Sequence, residues 1–451
     1  MINLSLQHAA LILAAQLIGK DQEFTGVSID TRSLEPGNLY VAIRGTQFDG
    51  HDFVAKAQQA GAVAAIVERK IAIDLPQIIV ADTTLALGGL AKYWRQQFAI
   101  PIVGITGSCG KTTTTQMTGA ILSQIAPTLV PQGNHNNQWG VPLTLFHLNH
   151  QHHFAVIEMG ADRPGEIKYL ANIVQPRVAI ITNIAPVHLE VKKGIGFGSL
   201  QGVFSEKSEI YQALSSDGTA IICADDDFYP QWKKNLSANK CLSFGYHNAQ
   251  VSAKELQANH NMQYHFILAT PLGETEVSLS SIGRHNVVNA LAASAATLAL
   301  GASLSTIKTG LANVPTVARR MIRLRAKKDA VLIDDSYNSN LKSVLAVLDM
   351  LADHTGPKIA ILGDMLEIGS QSAAFHRQVG EYAKTLGIDH FYAYGKEAEM
   401  MAQGFGQDAK YFIDANALVT DVLTLLNAQT MIIVKGSFSM KMDLIVKALQ
   451  Q

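Results

Sequence analysis

The residues with the plainest chemical meaning lie in one short run, Thr106-Gly107-Ser108-Cys109-Gly110-Lys111-Thr112-Thr113-Thr114-Thr115. Two glycines, a lysine and a row of hydroxyls at this spacing can wrap a polyphosphate. Backbone N–H groups freed by Gly107 and Gly110 close on phosphate oxygens, with Ser108, Cys109 and Thr113 completing the cradle. Lys111 reaches the β- and γ-phosphates, and the Thr112 hydroxyl can ligate Mg2+. The strict pattern G-x-x-x-x-G-K-[ST] is missed by one position, because Ile105 stands where the first glycine belongs and Gly104 comes one residue early. The setting gives the run its weight. Ile102-Val103-Gly104-Ile105 reads as a strand before it, and Met117, Ala120 and Ile121 have helical spacing after it.

Two further polar residues follow strand-like runs. Glu158 ends Phe154-Ala155-Val156-Ile157, and His188 comes shortly after Val178-Ala179-Ile180-Ile181 and Thr182-Asn183. Ligands of open parallel sheets collect outside the carboxyl ends of the strands, so Lys111, Glu158 and His188 are expected around one site. The cluster Ser28-Ile29-Asp30-Thr31-Arg32-Ser33 reads, on spacing alone, as a capped turn.

The elements that must position these residues are bounded by composition. At about 150 residues per domain, a chain of 451 residues suggests roughly three domains. A hydrophobic share of 48% with 16% charged residues implies packed cores rather than disorder. A net charge of -1 gives no global electrostatic case for nucleic acid or an anionic membrane. The three cysteines, Cys109, Cys223 and Cys241, form neither a pairing framework nor a metal spacing, which suits a reducing cytoplasm. Residues 9–19 are apolar enough to suggest a signal segment, but no basic region precedes them and Gln16 interrupts them, so a buried helix is expected. No stretch is apolar for long enough to span a membrane.

Taken in order, residues 1–98 read as a small α/β unit. Its strands are Leu39-Tyr40-Val41-Ala42-Ile43, Val63-Ala64-Ala65-Ile66-Val67 and Ile78-Ile79-Val80, and Asp52 is expected to cap a helix opened by Phe53. Residues 99–313 carry the phosphate loop. Within them, residues 218–282 read as short alternating strands forming an antiparallel appendage, and Gly283-Arg284-His285-Asn286 opens an alanine-rich helix to Leu300. Residues 314–451 return to a parallel α/β rhythm. Strands there end in Asp334-Asp335, Gly363-Asp364, Gly395 and Lys435-Gly436, so this unit too presents polar groups at its strand ends. Pro101 and Pro315 punctuate the joins.

In combination these strings resemble the Mur ligases, the ATP-dependent amino-acid-adding enzymes of peptidoglycan synthesis. The resemblance runs over nearly the whole chain. It rests on Asp30-Thr31-Arg32, Asp49-Gly50-His51-Asp52-Phe53, the phosphate loop, Gly133-Asn134-His135-Asn136-Asn137, Glu158-Met159-Gly160-Ala161 and His188-Leu189-Glu190. It continues through Lys207-Ser208-Glu209-Ile210, Gly283-Arg284-His285-Asn286, Asp334-Asp335-Ser336-Tyr337-Asn338-Ser339-Asn340, Gly363-Asp364-Met365-Leu366-Glu367-Ile368-Gly369 and Lys435-Gly436-Ser437.

The resemblance implies a three-domain α/β architecture. A small N-terminal domain (1–98) binds the UDP end of the substrate, a central domain (99–313) carries the P-loop on a mostly parallel sheet, and a Rossmann-like domain (314–451) completes the ligase. It implies ATP and two Mg2+ ions, one on Thr112 and Glu158 and a second held with help from His188. Lys207 is implied to be carbamylated, which would turn a cation into an anionic oxygen ligand that hard metal ions favour. Asn286 is implied at the adenine, Asp335 at the ribose, and Arg319, with its neighbour Arg320 as the alternative, at the γ-phosphate. Asp30, Thr31 and Arg32 would face the uridine diphosphate. Asn134 and Asn137 would line the substrate, and Asn338 would lie near an incoming dipeptide.

The member of the family most resembled joins UDP-N-acetylmuramoyl-tripeptide to D-Ala-D-Ala in the cytoplasm. A monomer with no nucleic-acid partner is expected. The sequence departs from the family's usual strings at Asp162-Arg163, at Phe438, and at residues 191–195, which read as an insertion.

Two other readings stay open at this point. One is a sister ligase adding a diamino acid or glutamate, although the Asp-Asn-Pro-Arg string of the diaminopimelate-adding member is absent. The other is a nucleotide-gated regulatory protein with incidental hydrolysis. Cys109, in the loop at a helix N-terminus, occupies a position that favours a reactive thiolate.

Overall fold

Aliphatic runs buried on both faces build parallel sheets, and three sheets of this kind follow one another along the chain. The computed structural model of the protein describes residues 1–45, 47–131, 133–192, 194–236 and 240–451. The first sheet has the spatial order Gln16–Ile18, Gln77–Ile79, Ala64–Val67, Leu39–Val41, Val27–Ser28, parallel except for its first strand. The second has the order Lys240–Phe244, Thr219–Cys223, Val178–Ile181, Ile102–Thr106, Phe154–Glu158, Thr128–Leu129, and every pairing in it is parallel. The third has the order Ile322–Arg325, Val331–Asp335, Met431–Lys435, Lys358–Gly363, His390–Tyr394, Lys410–Phe412, with only the first strand antiparallel.

Local chemistry moved several boundaries from those expected. Residues 9–19 are not one helix. The helix Leu6–Ile12 is capped by Ser5, whose hydroxyl accepts from His8 N–H, and Ala14 then enters the left-handed region at φ 48°. That reversal sends Gln16–Ile18 into the first sheet, where the backbone finds ladder partners. The cap near residue 50 is Asp49, not Asp52. Asp49 accepts from His51 N–H at 3.0 Å and starts the 3-10 turn Gly50–Phe53, and Asp52 lies inside that turn.

The antiparallel appendage is also smaller than expected. Thr219–Cys223 is buried almost throughout and joins the parallel sheet together with Lys240–Phe244. Only Ser252–Ala258, Gln263–Thr270 and Gly273–Ile282, where partly or fully exposed positions outnumber buried ones, form the antiparallel three-stranded sheet.

The alanine-rich helix His285–Ala299 is buried on nearly all sides and packs against the phosphate-loop helix Lys111–Leu122. Small side chains allow that close approach. One hydrophobic core runs without a break from Ile2 and Leu6 through Leu87 and Leu145 to Trp232, so the first two sheets share an interior. The third sheet carries separate cores on its two faces. No helix among the described residues is long and apolar enough to cross a membrane.

A buried carboxylate ties two helices of the central unit together. Glu206, on Leu200–Gln212, accepts from Gly165 N–H and Ile167 N–H, both at 2.7 Å, at the start of the helix Glu166–Val174. Glu206→Ala would strand the buried Ile167 N–H and leave the more exposed Gly165 N–H to water. It should cost about 1–3 kcal/mol, read as a lower midpoint in urea unfolding, whereas Glu206→Gln should cost less because it still accepts one bond.

Candidate active site

The phosphate loop leaves the sheet between two neighbours in parallel register. Glu158 lies opposite Ile105, and Ile181 lies opposite Thr106. Residues just past all three strands therefore reach the same level. The loop itself is locked from one side. Thr182 Oγ donates to Cys109 O at 2.5 Å, Ser108 N–H donates to Asn183 O at 3.0 Å, and Cys109 N–H donates to Asn183 Oδ1 at 3.2 Å.

The two glycines are required by this closeness. A Cβ on Gly107 (φ 144°) would lie 1.9 Å from Thr182 Oγ, and one on Gly110 (φ 79°) would lie 2.3 Å from Asn289 Oδ1. Lys111 curls back to donate to Gly107 O at 2.8 Å. Burial pushes its pKa down, opposed by the Glu158 carboxylate and assisted by Arg320.

The residues beside the loop fit a hard divalent cation. Thr112 Oγ is buried and finds no hydrogen-bond partner among the described residues, so an oxygen donor is held without an acceptor to serve. Glu158 is buried, and one of its oxygens accepts from Asn136 Nδ2 at 2.8 Å. Among the described residues no group of three or more His, Cys, Asp or Glu side chains could form a metal cage. A hydroxyl and a carboxylate are hard oxygen donors of the kind that hold Mg2+ in nucleotide sites, where one or two protein ligands are joined by phosphates and water.

Lys207 is buried on the helix Leu200–Gln212, with its ammonium 5.8 Å from the centre of the Phe197 ring. Desolvation, with the Lys111 charge adding to it, lowers its pKa to about 7. His188 also packs against Phe197, edge to face with ring centres 6.1 Å apart. Its Nδ1 lies 2.5 Å from Glu367 Oε2 of the third unit, and this contact holds the Glu367 carboxyl below its usual range.

Phe197 N–H donates to His188 O at 2.7 Å, closing residues 189–196 into an excursion with a narrow neck, and Lys192 and Ile195 pair across its tip. Lys193 lies outside the described residues. Asp162 and Arg163 brace the same region, since Asp162 O accepts from Gly196 N–H at 2.7 Å and Arg163 pairs with Asp162 and Glu166.

Between the loop and the third sheet lies a cavity of about 750 Å³. The loop residues 108–113, Asn286, Arg320, Asp335 and Asn338 all line it. Asn286 spends part of its amide internally, donating to Ile282 O and accepting from Asn289, both at 2.8 Å, which leaves one N–H and one lone pair for a ligand. Asp335 forms a buried ion pair with Lys435 at 2.6 Å, and Lys435 also donates to Asn338 O at 2.8 Å.

Arg319 does not line the cavity. Its backbone is left-handed (φ 62°), and its guanidinium donates to Ser336 and pairs with Asp443 at 3.2 Å. Arg320 faces the cavity instead, 4.2 Å from the centre of the Tyr337 ring. Phe438 packs at a tilt against Tyr337, and its ring centre lies 5.5 Å from the Arg319 guanidinium, which accounts for an aromatic residue there.

The remaining expected residues sit elsewhere. Asp30 and Arg32 pair with each other at the surface, with Asp30 held below the usual carboxylate range by Arg32, and neither they nor Thr31 line the cavity. Asn137 Oδ1 accepts from Trp139 and Gly140 N–H groups and starts the helix Gly140–Leu145. Asn134 reaches Glu158 only through Asn136. Asn136, Asn183, Asn289 and Lys435 are site residues that spacing did not single out. Asn136 and Lys435 lie inside strings that carried the resemblance, Asn183 had only its place just past a strand-like run, and Asn289 had no comparable signal.

Three family models match the chain in order: "Mur ligase family, catalytic domain" at residues 23–94, "Mur ligase middle domain" at 105–297, and "Mur ligase, glutamate ligase domain" at 319–438. The chain belongs to the Mur ligase family. It is similar to the UDP-N-acetylmuramoyl-tripeptide–D-alanyl-D-alanine ligase of Escherichia coli, 41% identical over 100% of this chain and 99% of that one. Among solved structures it is similar to MurF from Acinetobacter baumannii (36% identity, TM-score 0.93, covering 99% and 98% of the two chains). It is also similar to MurF ligase from Thermotoga maritima in complex with ADP (26% identity, TM-score 0.84, covering 94% and 96%).

Two outcomes are expected at the loop. Gly107→Ala should abolish ATP binding measured by calorimetry while leaving the circular dichroism spectrum unchanged. Cys109 is partly buried against Asn340, its sulfur 3.2 Å from Asn340 Oδ1, so a bulky thiol reagent should inactivate the enzyme and ATP should protect it. Full activity after complete modification of Cys109 would contradict that expectation.

Proposed function

We propose that the protein joins D-alanyl-D-alanine to UDP-N-acetylmuramoyl-tripeptide at the expense of ATP, forming one C–N bond and giving a UDP-muramoyl-pentapeptide for peptidoglycan synthesis. One observation carries this reading. A phosphate loop with an unpartnered threonine hydroxyl forms one wall of a cavity whose other wall is a separate set of strand ends, and the buried Glu158 ends the strand paired beside the one that feeds the loop. Full-length similarity to ligases of that name supports the choice of substrates over those of a sister enzyme. We divide the chain into a UDP-binding unit (1–98), a nucleotide-binding unit (99–313) and a closing unit (314–451), acting as a cytoplasmic monomer.

The chemistry follows from the weakness of a carboxylate as an electrophile. A carboxylate oxygen of the tripeptide attacks the γ-phosphorus, ADP leaves, and an acyl phosphate forms. The dipeptide amine then attacks the acyl carbon, the bond to the phosphate oxygen breaks, and the amine loses a proton. Lys111 and the loop amides hold the phosphates, and Arg320 reaches the transferring group from the far wall. Thr112 and Glu158 would hold Mg2+, which when bound offsets charge on the transferring phosphoryl group. Asp335 and Asn286 would orient the nucleoside, Asn338 would lie beside the dipeptide, and Asp30, Thr31 and Arg32 would meet the uridine diphosphate. Water would destroy the acyl phosphate, so the third unit must cover the loop, as its Asn340 does at Cys109.

Lys207 is suited to carbamylation. With a pKa of about 7, much of its amine is neutral near physiological pH and can add CO2, giving a carbamate and a proton. The carbamate would serve a second cation together with His188. Because the folded pKa is lowered, the nucleophilic amine persists above about pH 7 and is lost to protonation below it.

Phosphate release should require UDP-muramoyl-tripeptide, D-Ala-D-Ala, ATP and Mg2+ together, and hydrolysis without the acceptor and amine would refute the ligase reading. Lys207→Ala should abolish ligation, with partial rescue by short carboxylic acids, and an unchanged rate would remove the carbamate. Arg320→Ala should lower kcat at least tenfold. Arg319→Ala should act mainly on thermal stability, read by calorimetry.

A further inference from the structure

One contact between the central and third units joins two strained residues. His188 and Glu367 meet through Nδ1 and Oε2 at 2.5 Å, and both are non-glycine residues in the left-handed region, at φ 49° and φ 65°. Their backbones approach as well, since Glu190 N–H donates to Glu367 O at 3.3 Å. The Glu367 loop is held firmly from behind. Met365 N–H donates to Nε2 of the buried His376, Leu366 N–H donates to Ser437 Oγ, and Ala398 N–H donates to Asp364 Oδ1. On the other side, the neck bond from Phe197 N–H to His188 O fixes the histidine backbone.

Stability does not account for this arrangement. The side chains are 31% and 65% exposed, and an ion pair so open to water contributes little. Two left-handed backbones persist only where the surroundings impose them, and such strain gathers at functional positions. The chemistry of the pair points to its use. A neutral imidazole that donates its Nδ1 proton to a carboxylate presents a lone pair on Nε2, the form that binds a metal ion, and carboxylates hold metal-binding histidines in this way.

We propose that Glu367 is a positioning residue. Docking of the third unit brings its carboxylate onto His188 Nδ1, fixes the ring with Nε2 free to receive a divalent cation, and thereby makes cation binding at His188 depend on the docked state. This rests on the reading of His188 as a cation ligand given above.

The test uses the full-length protein, with Mn2+ as the probe and a non-hydrolysable ATP analogue present, and follows free Mn2+ by electron paramagnetic resonance. The wild type should bind two Mn2+ ions. Glu367→Ala should weaken the second by about 10–100-fold, without changing affinity for the metal-free analogue or the thermal midpoint. Glu367→Gln, whose amide oxygen still accepts, should weaken it less. His188→Ala should weaken it comparably, and the double variant should be no worse than either single one, because the carboxylate acts only through the ring. Wild-type Mn2+ affinity in Glu367→Ala, or additive losses in the double variant, would overturn the proposal. Ligation with a single Mn2+ site would sink this inference alone. Coupled Mn2+ losses without ligation would sink the functional reading alone.

Discussion

Parallel register is the constraint on which the rest of the molecule depends. A polyphosphate can be gripped and activated only where backbone amides, a hydroxyl and a carboxylate converge within a few ångströms. Here the convergence is set by hydrogen-bond ladders that match Ile105 with Glu158 and Thr106 with Ile181. A slip of one residue would turn Glu158 to the opposite face of its strand and move Thr182 off the loop it locks. The buried helix behind the loop depends on the same alignment, because Asn289 of that helix fills the space a side chain at residue 110 would need.

The cavity between the loop and the third sheet carries buried polar atoms with nothing to bond. Thr112 Oγ and His285 Nδ1, both on residues that line it, are buried without partners among the described residues. An unserved buried polar atom is costly, by about 1–3 kcal/mol in typical cases, so a ligand that serves these atoms binds at a prepared site. The third unit contributes in a different way. Its Asp335 is already neutralised by Lys435, and its Arg320 lies flat on Tyr337. The central wall is thus built to receive charge, and the far wall presents cations to it, Arg320 and Lys342 among them.

Much of this was legible in the residues themselves. Strand, glycine turn and helix around Lys111, and Glu158 at a strand end, follow from β-branched runs and their polar terminations. Periodicity failed where tertiary pairing decided the outcome. Thr219–Cys223 looks like part of an alternating region and is a core parallel strand, and residues 16–18 look helical until the partner strand Gln77–Ile79 is known. The choice between Arg319 and Arg320 depends on the sign of one backbone angle, which composition does not encode. Lys207 gave no signal of its own, because a lysine on a helix is ordinarily solvated. It is nevertheless buried, with Phe197 beside it, and the bond from Phe197 N–H to His188 O sets that ring next to His188.

The unbroken core from Ile2 to Trp232 joins the first two units into a single rigid block. On the function proposed above, a long substrate anchored on the N-terminal unit and reacting at the phosphate loop would then be measured against a ruler of fixed length. A peptide one residue too short would fall about 3.5 Å short of the reacting phosphorus, a gap that no motion of the third unit could close. Counting of residues along the acceptor would in this way be a property of the frame, and not of any single contact to a side chain.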